Sequence, residues 1–441
     1  MPPTGSGTAW NATESLAKRA RNGWSKKLVD SVEELGPGVI TGAADDDPSG
    51  IATYSQAGAQ FGYGLLWTQL LSYPLMVAVQ LVCAHVGRVT GAGLSKTFTQ
   101  YFPRWVVTSL VGLLLVANVF NIGADLSAMA AVSGMVAGGG DPIFVVGFAV
   151  SSALLKLFVP YQKYANVLKV LTFSLFAYVG VVMFVHVDWP QALLRLVWPA
   201  TLSKDALLTV VALFGTTISP YLFFWQSSQE AEEVATTRAR PLKDKPSAAR
   251  KQFHRMRVDT LIGMAFSELI AMAIIVATAA TLNVKGHTDV QSAAQAAEAL
   301  RPVAGQFAFA LFALGIIGTG LLAVPVLAAS AAFAVSEARG WKSGLEYQPQ
   351  QAKRFYAIIV AATLIGVALD WSSLSPMKAL FFSAVFNGVA AAPLMAALMI
   401  VTHRREIMGR FTERAPLLIV GWAATLVMAG ASIAMFVGEL S

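Results

Sequence analysis

The sequence predicts an all-α integral membrane protein with 11 transmembrane helices, ten of them forming two inverted five-helix repeats whose first and sixth helices are broken. Three observations carry that reading. Of 441 residues, 56% are hydrophobic and 13% charged, and the mean hydropathy is +0.60. An average soluble domain carries about 25% charged residues. Eleven apolar stretches approach the length needed to cross a bilayer, about 20 residues. Two of them, the first and the sixth, carry Pro-centred polar interruptions near their middles.

The stretches cover residues 36–58, 62–86, 105–136, 142–160, 165–187, 205–228, 258–283, 303–335, 355–370, 374–401 and 416–437, hereafter spans 1 to 11. Charge supports the count. Of the 32 Lys and Arg, 27 fall in alternate gaps or at the span ends that border them, starting with Lys18, Arg19, Arg21, Lys26 and Lys27 before span 1. Basic residues stay in the cytoplasm during insertion, so the alternation puts the N-terminus inside and the C-terminus outside. A missed span would scramble it. The net charge of +7 is thus topological and calls for no nucleic-acid partner. The bilayer is the partner, and the inner membrane of a bacterium is the expected location.

No continuous apolar run marks a cleavable signal in the first 30 residues. Residues 10–32 mix Trp10, Leu16, Trp24 and Leu28 with basic residues. Two readings stay open: a helix on the inner membrane surface, or a frayed basic tail. The gap at 229–257 is a long basic cytoplasmic loop, and the Ala- and Gln-rich gap at 284–302 is external and predicts a short helix. The resulting divisions are a cytoplasmic segment 1–34, a first repeat 35–187, an external linker 188–204, a second repeat 205–401, and a cytoplasmic loop with span 11 over 402–441. One cysteine, Cys83, and five His exclude a disulfide framework and a Cys- or His-rich metal cage, and no resident cofactor is implied. No nucleophile–base constellation or phosphate loop points to an enzyme.

The break in span 1 reads Asp45-Asp46-Asp47-Pro48-Ser49-Gly50, and that in span 6 reads Gly215-Thr216-Thr217-Ile218-Ser219-Pro220-Tyr221. Pro inside a helix removes a hydrogen bond and clashes with the preceding turn. Freed backbone groups are tolerated at membrane depth only inside protein or beside a cavity. Breaks five helices apart imply a repeat of five spans, and an odd number turns the second unit upside down. Paired broken helices in inverted repeats point to a transporter's central site.

One Asp at a helix centre costs about 2.5–3.5 kcal/mol on insertion scales, so three facing lipid would cost about 8–10 kcal/mol. At least one must therefore meet water, a cation or a basic partner. Asp47 adjoins the break and is the first candidate for a cation ligand; Asp46 and Asp45 either share the site, or lie near the water boundary or pair with a Lys. Unwound carbonyls and the hydroxyls of Ser219 and Tyr221 offer more oxygen ligands. Asn118, Asn121 and Asp125 lie on one face of span 3, as an ion or proton route or as interhelical hydrogen bonding. Gln226 and Glu230 continue span 6 toward an inner vestibule, Glu232 and Glu233 read as a solvated helix end, and Asn387-Gly388 marks either another local break or a polar lining in span 10. Glu268 in span 7 has no assigned role.

The stretch from Gly36-Pro37-Gly38 through Asp47-Pro48-Ser49-Gly50 to Gly58, followed by Tyr63-Gly64-Leu65-Leu66-Trp67, resembles the start of the Nramp (natural resistance-associated macrophage protein) divalent-metal transporters. The likeness extends by helix order over nearly the whole chain. That family has an Asp-Pro-Gly-Asn break in helix 1, a Met-Pro-His break in helix 6, and the LeuT-like inverted-repeat fold of sodium-coupled amino-acid transporters. The resemblance implies that Asp47 is the metal-binding Asp, that Ala44 and Thr216 offer backbone carbonyls, and that Asp125 matches an Asp of the family's proton route. The departures are Gly50 for the ligand Asn, Ser219 for the Met, Tyr221 for the His, and Ala128 for a Glu near the helix 3 Asp. The chain thus looks like a divergent Nramp-related branch; similar branches lacking the Met include magnesium transporters.

Chemistry points the same way. A thioether favours soft transition metals, whereas carboxylates, hydroxyls and carbonyls suit Mg²⁺, Ca²⁺ and Mn²⁺. The expectation is a secondary transporter of a divalent cation, Mg²⁺ or Mn²⁺, working by alternating access, with protons as a coupling ion in doubt. Asp47 would be the central ligand; Asp46, Ser219, Ala44 and Thr216 its companions; Asp45, Gly50, Tyr221, Gln226 and Asn387 the lining; and Asp125, Asn121 and Glu230 the route. The rivals are an amino-acid or organic-solute transporter of the same fold, whose substrate carboxylate three Asp would repel, and a non-transporting metal sensor.

Overall fold

The computed structural model describes residues 41–42, 44–138, 141–158, 173–199, 203–237, 240–369 and 375–440. The N-terminal segment, with its membrane-surface reading, lies outside them. Helix occupies part of every predicted span: α1 (Pro48–Phe61), α2 (Trp67–Thr90), α3 (Arg104–Ala137), α4 (Asp141–Phe158), α5 (Phe176–Phe184), α6 (Lys204–Thr217), α7 (Pro220–Thr236), α8 (Ala249–Thr281), α9 (Ala308–Ala338), α10 (Lys353–Leu369), α11 (Pro376–Thr402) and α12 (Ala415–Leu440). Among the described residues, 7 helical stretches are long and apolar enough to cross a membrane, with α6 and α7 counted together. The first half of span 1 is helical at Thr41–Gly42 and Ala44–Asp45.

Both breaks share one local design. Asp47 is extended (φ −72°, ψ 170°) and caps α1, its side chain accepting from Gly50 N–H. Ser219 is also extended (φ −72°, ψ 127°) and precedes α7. Pro48 and Pro220 therefore stand at the first position of a new helix, where a missing N–H costs nothing and the fixed φ is already helical. The sequence argument made proline the disruptor within one helix; in the structure it starts the second half.

Packing follows the predicted inversion. α1 of span 1 packs on α8 of span 7, and α7 of span 6 packs on α2 of span 2, which is the same pairing five spans on. The centre of the molecule is α3 of span 3 against α9 of span 8, a pair that the repeat maps onto itself. Lipid gives helices no hydrophobic reason to associate, so close van der Waals approach over small residues matters more. Gly58 provides it for the first pair, where a Cβ would overlap Thr278 and the Ile275 carbonyl. Gly87 provides it for the second, against the Ser227 carbonyl.

Two gaps differ from a bare loop. α8 begins at Ala249, ahead of its apolar stretch, and so carries Arg255 on a helix. The external gap contains the expected short helix, Ala293–Ala297, started by a reciprocal capping box between Ser292 and Gln295. On the basic side, the loop after α7 is tied to the end of α2 through Leu242 N–H to Arg88 O (3.2 Å) and Lys243 N–H to Val89 O (3.1 Å).

Candidate metal site at the two helix breaks

Asp47 is buried, 1% exposed. Its Oδ1 accepts from Ser49 Oγ (2.6 Å) and Gly50 N–H (2.8 Å), and its Oδ2 from Asn121 Nδ2 on α3 (3.0 Å). Asn121 is held in turn by Ser383 of α11, whose hydroxyl lies 3.0 Å from Asn121 Oδ1. Asp47 has no ion-pair partner among the described residues. A carboxylate fixed by donors on both oxygens is pre-aimed, and its net negative charge is left for a cation.

The second break comes to the first through two contacts. Tyr221 Oη donates to Ala44 O at 2.7 Å. Gly50 lies against Thr216, whose Oγ1 would be 3.0 Å from a Cβ at that position. Tyr221 is itself held in place because its carbonyl accepts from Ser330 Oγ of α9 at 2.8 Å. Farther along α7, Gln226 Oε1 accepts from Thr41 Oγ1 in the first half of span 1.

Several buried polar atoms around these breaks have no hydrogen-bond partner among the described residues: Thr216 Oγ1, Gln226 Nε2, both amide atoms of Asn387, and both oxygens of Asp125. Buried polar groups are nearly always satisfied, so orphans signal an ion, water or function. The oxygens fit a hard cation or its remaining water, and the two amide nitrogens, being donors only, fit water.

The expected residues divide into two groups. The structure brings Asp47, Ala44, Thr216, Gly50, Tyr221 and Asn121 together. Ser219 adjoins them, but its hydroxyl turns back on its own helix, 2.7 Å from Thr216 O and 3.0 Å from Gly215 O. Asp46, expected beside Asp47, turns away: its Oδ1 accepts from Ser267 Oγ on α8 (3.1 Å), as does Asp45 Oδ2 (2.6 Å). Consecutive residues leaving a helix point in different directions, and α8 offers a donor only to these two. Among the described residues, no three acidic, His or Cys side chains form a preformed metal cage.

Glu230 is not at the breaks either. It lies ten residues beyond Pro220, about 15 Å along the axis of α7. There it is buried between Arg88 Nη1 (3.7 Å) and Arg255 Nη2 (3.8 Å). Glu233, read as a solvated end, makes paired 2.8 Å hydrogen bonds with Arg255. Asn118 donates to Leu327 O of α9 at 3.0 Å. Sequence reasoning missed Ser49, Ser267 and Ser383; single hydroxyls in apolar helices carry no periodic signal.

Residues 38–438 match the family described as natural resistance-associated macrophage protein-like, Nramp. The divalent metal cation transporter MntH of Burkholderia ambifaria is 26% identical over 95% of this chain and 91% of its own length. MntH of Deinococcus radiodurans is 25% identical, over 89% and 87%. Among solved structures, a manganese transporter of Eremococcus coleocola has a similar fold (TM-score 0.70, 17% identity, 92% of this chain and 86% of that one). So does Mhp1, a nucleobase-cation-symport-1 family transporter (TM-score 0.55, 11% identity, 91% and 92%).

Proposed function

This chain belongs to the Nramp family, and from that premise we propose that it is a membrane transporter moving a hard divalent cation, Mg²⁺ or Mn²⁺, with Asp47 as the central anionic ligand. It is a transporter and not an enzyme. The observation that carries the reading is Asp47 itself: a buried carboxylate without a cationic partner among the described residues, aimed by Ser49, Gly50 and Asn121, at the point where two broken helices meet.

The carbonyls of Ala44 and Thr216 supply neutral oxygens, and Gly50 leaves space where a larger side chain would crowd the ion. Ser219 and Tyr221 contribute no sulfur or imidazole, so the donor set favours ions that accept oxygen and retain water. Asp46 acts outside the immediate shell. Asp125 and Asn387 line the route beside the ion. Alternating access needs the half-helices to tilt about the breaks, and their contacts, Tyr221 to Ala44 and Gln226 to Thr41, are single hydrogen bonds that can exchange. The N-terminus faces the cytoplasm and the C-terminus the outside, as the distribution of Lys and Arg supports.

The test is uptake into proteoliposomes by the wild type and Asp47→Ala. The variant is expected to elute as a folded monodisperse protein and to lose Mg²⁺- and Mn²⁺-dependent uptake. Undiminished uptake defeats the assignment. Stabilisation by amino acids rather than by either ion would favour the organic-solute rival.

A further inference from the structure

The turn between α11 and α12, residues 403–414, holds Arg404, Arg405, Arg410 and Arg414 against two acids, Glu406 and Glu413. Glu413 is already engaged, its Oε1 lying 2.7 Å from His85 Nδ1 of α2. His403, Arg404, Arg405, Glu406 and Thr412 line an open cavity of about 420 Å³. Among the described residues, neither Arg404 nor Arg405 forms an ion pair. A further cation comes from a distant part of the chain: Lys243, in the loop after α7, donates from Nζ to Glu406 O at 2.8 Å.

One wall of the cavity is fixed by aromatic packing. The Arg404 guanidinium lies over the Tyr101 ring, 4.7 Å from its centroid. Tyr101 packs edge-on against Phe102, and Phe102 against Phe98, with centroids 5.0 and 6.0 Å apart. The same chain segment then reaches lipid: Trp105, in the first turn of α3, is 72% exposed, and amphipathic aromatic rings gather at headgroup level. α3 and α12 both pack on α11, so the cavity sits beside the ends of three membrane-spanning helices. Retention of basic residues on one side during insertion accounts for the number of arginines. It asks for neither a cavity nor an aromatic support.

We propose that this cavity binds the phosphate of an anionic phospholipid in the leaflet on the basic side, with Arg404 and Arg405 as its ligands and Lys243 holding the turn. The guanidinium fork matches phosphate oxygens, and basic pockets between spanning helices take acidic lipid headgroups. Glu406 offsets one of the two arginine charges and leaves the lining net positive. A lipid is favoured over a free phosphate because Trp105 and the three helix ends put the cavity at headgroup level. The proposal does not rest on the Asp47 reading.

The test is native mass spectrometry of the purified full-length chain titrated with phosphatidylglycerol, with phosphatidylcholine, and with phosphatidylglycerol in competition with inorganic phosphate. Phosphatidylglycerol is expected to bind in preference to phosphatidylcholine. Arg404→Gln/Arg405→Gln should weaken it about 25-fold, about fivefold for each arginine. Arg339→Gln/Lys342→Gln removes two cations of the same side that do not line the cavity, and should bind as the wild type does. Equal retention of the two lipids overturns the proposal, as does an equal loss in the two double variants. Displacement of phosphatidylglycerol by an equal concentration of inorganic phosphate also overturns it, by assigning the cavity to a soluble anion. Arg405→Gln alone serves where the double variant does not fold, with an expected loss of about fivefold. Unchanged affinity in whichever of these variants is measured overturns the proposal.

Discussion

Asn121 of α3 donates to Asp47 Oδ2 at 3.0 Å, joining the middle of span 3 to the break in span 1. The contact makes Asn121 a positioning residue for the carboxylate. A hydrogen bond to a charged group is worth about 1.5–3 kcal/mol. Asn121→Ala is expected to raise the KM for Mg²⁺ or Mn²⁺ uptake by about 10- to 100-fold, while Asn121→Asp, which replaces a donor by a second charge, alters ion affinity differently. Initial-rate uptake across a concentration series separates the two.

At the basic face, Arg88 and Arg255 both serve Glu230 and Glu233, but their burial differs: the Arg88 side chain is 5% exposed and that of Arg255 36%. Removing one partner from a buried ion pair costs about 3–5 kcal/mol, because the other charge stays behind. Arg88→Ala should therefore lower the apparent melting temperature in detergent more than Arg255→Ala. Adding Glu230→Gln to Arg88→Ala should recover part of the loss. Equal losses for the two single variants would contradict this ranking.

The first half of span 6 crosses span 10 through glycine. A Cβ on Gly215 would lie 2.7 Å from Gly388 Cα, and one on Gly388 would lie 2.9 Å from Val211 Cγ1. Overpacking of a tight contact costs about 1–3 kcal/mol. Gly215→Ala is expected to reduce thermal stability, with Gly112→Ala, which meets nothing within 4 Å, as the neutral control.

Ser219 is the N-cap of α7, its hydroxyl donates to the last turn of α6, and it adjoins the central site, which makes it the position to test selectivity. Ser219→Met introduces a soft thioether and removes the hydroxyl beside Thr216 O. Uptake with both ions at equal concentration should shift toward Mn²⁺ over Mg²⁺. An unchanged ratio would show that position 219 does not set the preference.

Burial and hydrogen bonding explain which parts of the site were readable. The Pro48 and Pro220 breaks announce themselves, since Pro and adjacent polar residues stand out in apolar helices. The carboxylate at the break was legible for the same reason. The sequence does not say which of Asp45, Asp46 and Asp47 faces which neighbour. That choice depends on Asn121 and Ser267, which lie 74 residues and more than 200 residues away along the chain. Glu230 looked like part of an inward route because acidic residues near a helix end suggest a vestibule. Its partners, Arg88 and Arg255, come from two other helices.

Composition, apolar run length and the positions of proline were enough, by themselves, to determine a helical membrane protein with two broken spans, because the bilayer allows few ways to satisfy a backbone. Only the packed structure decided that Asp47 turns to α3 while Asp45 and Asp46 turn to α8. The reason is physical: a buried carboxylate goes where donors are, and donors reach it only after distant helices have come together.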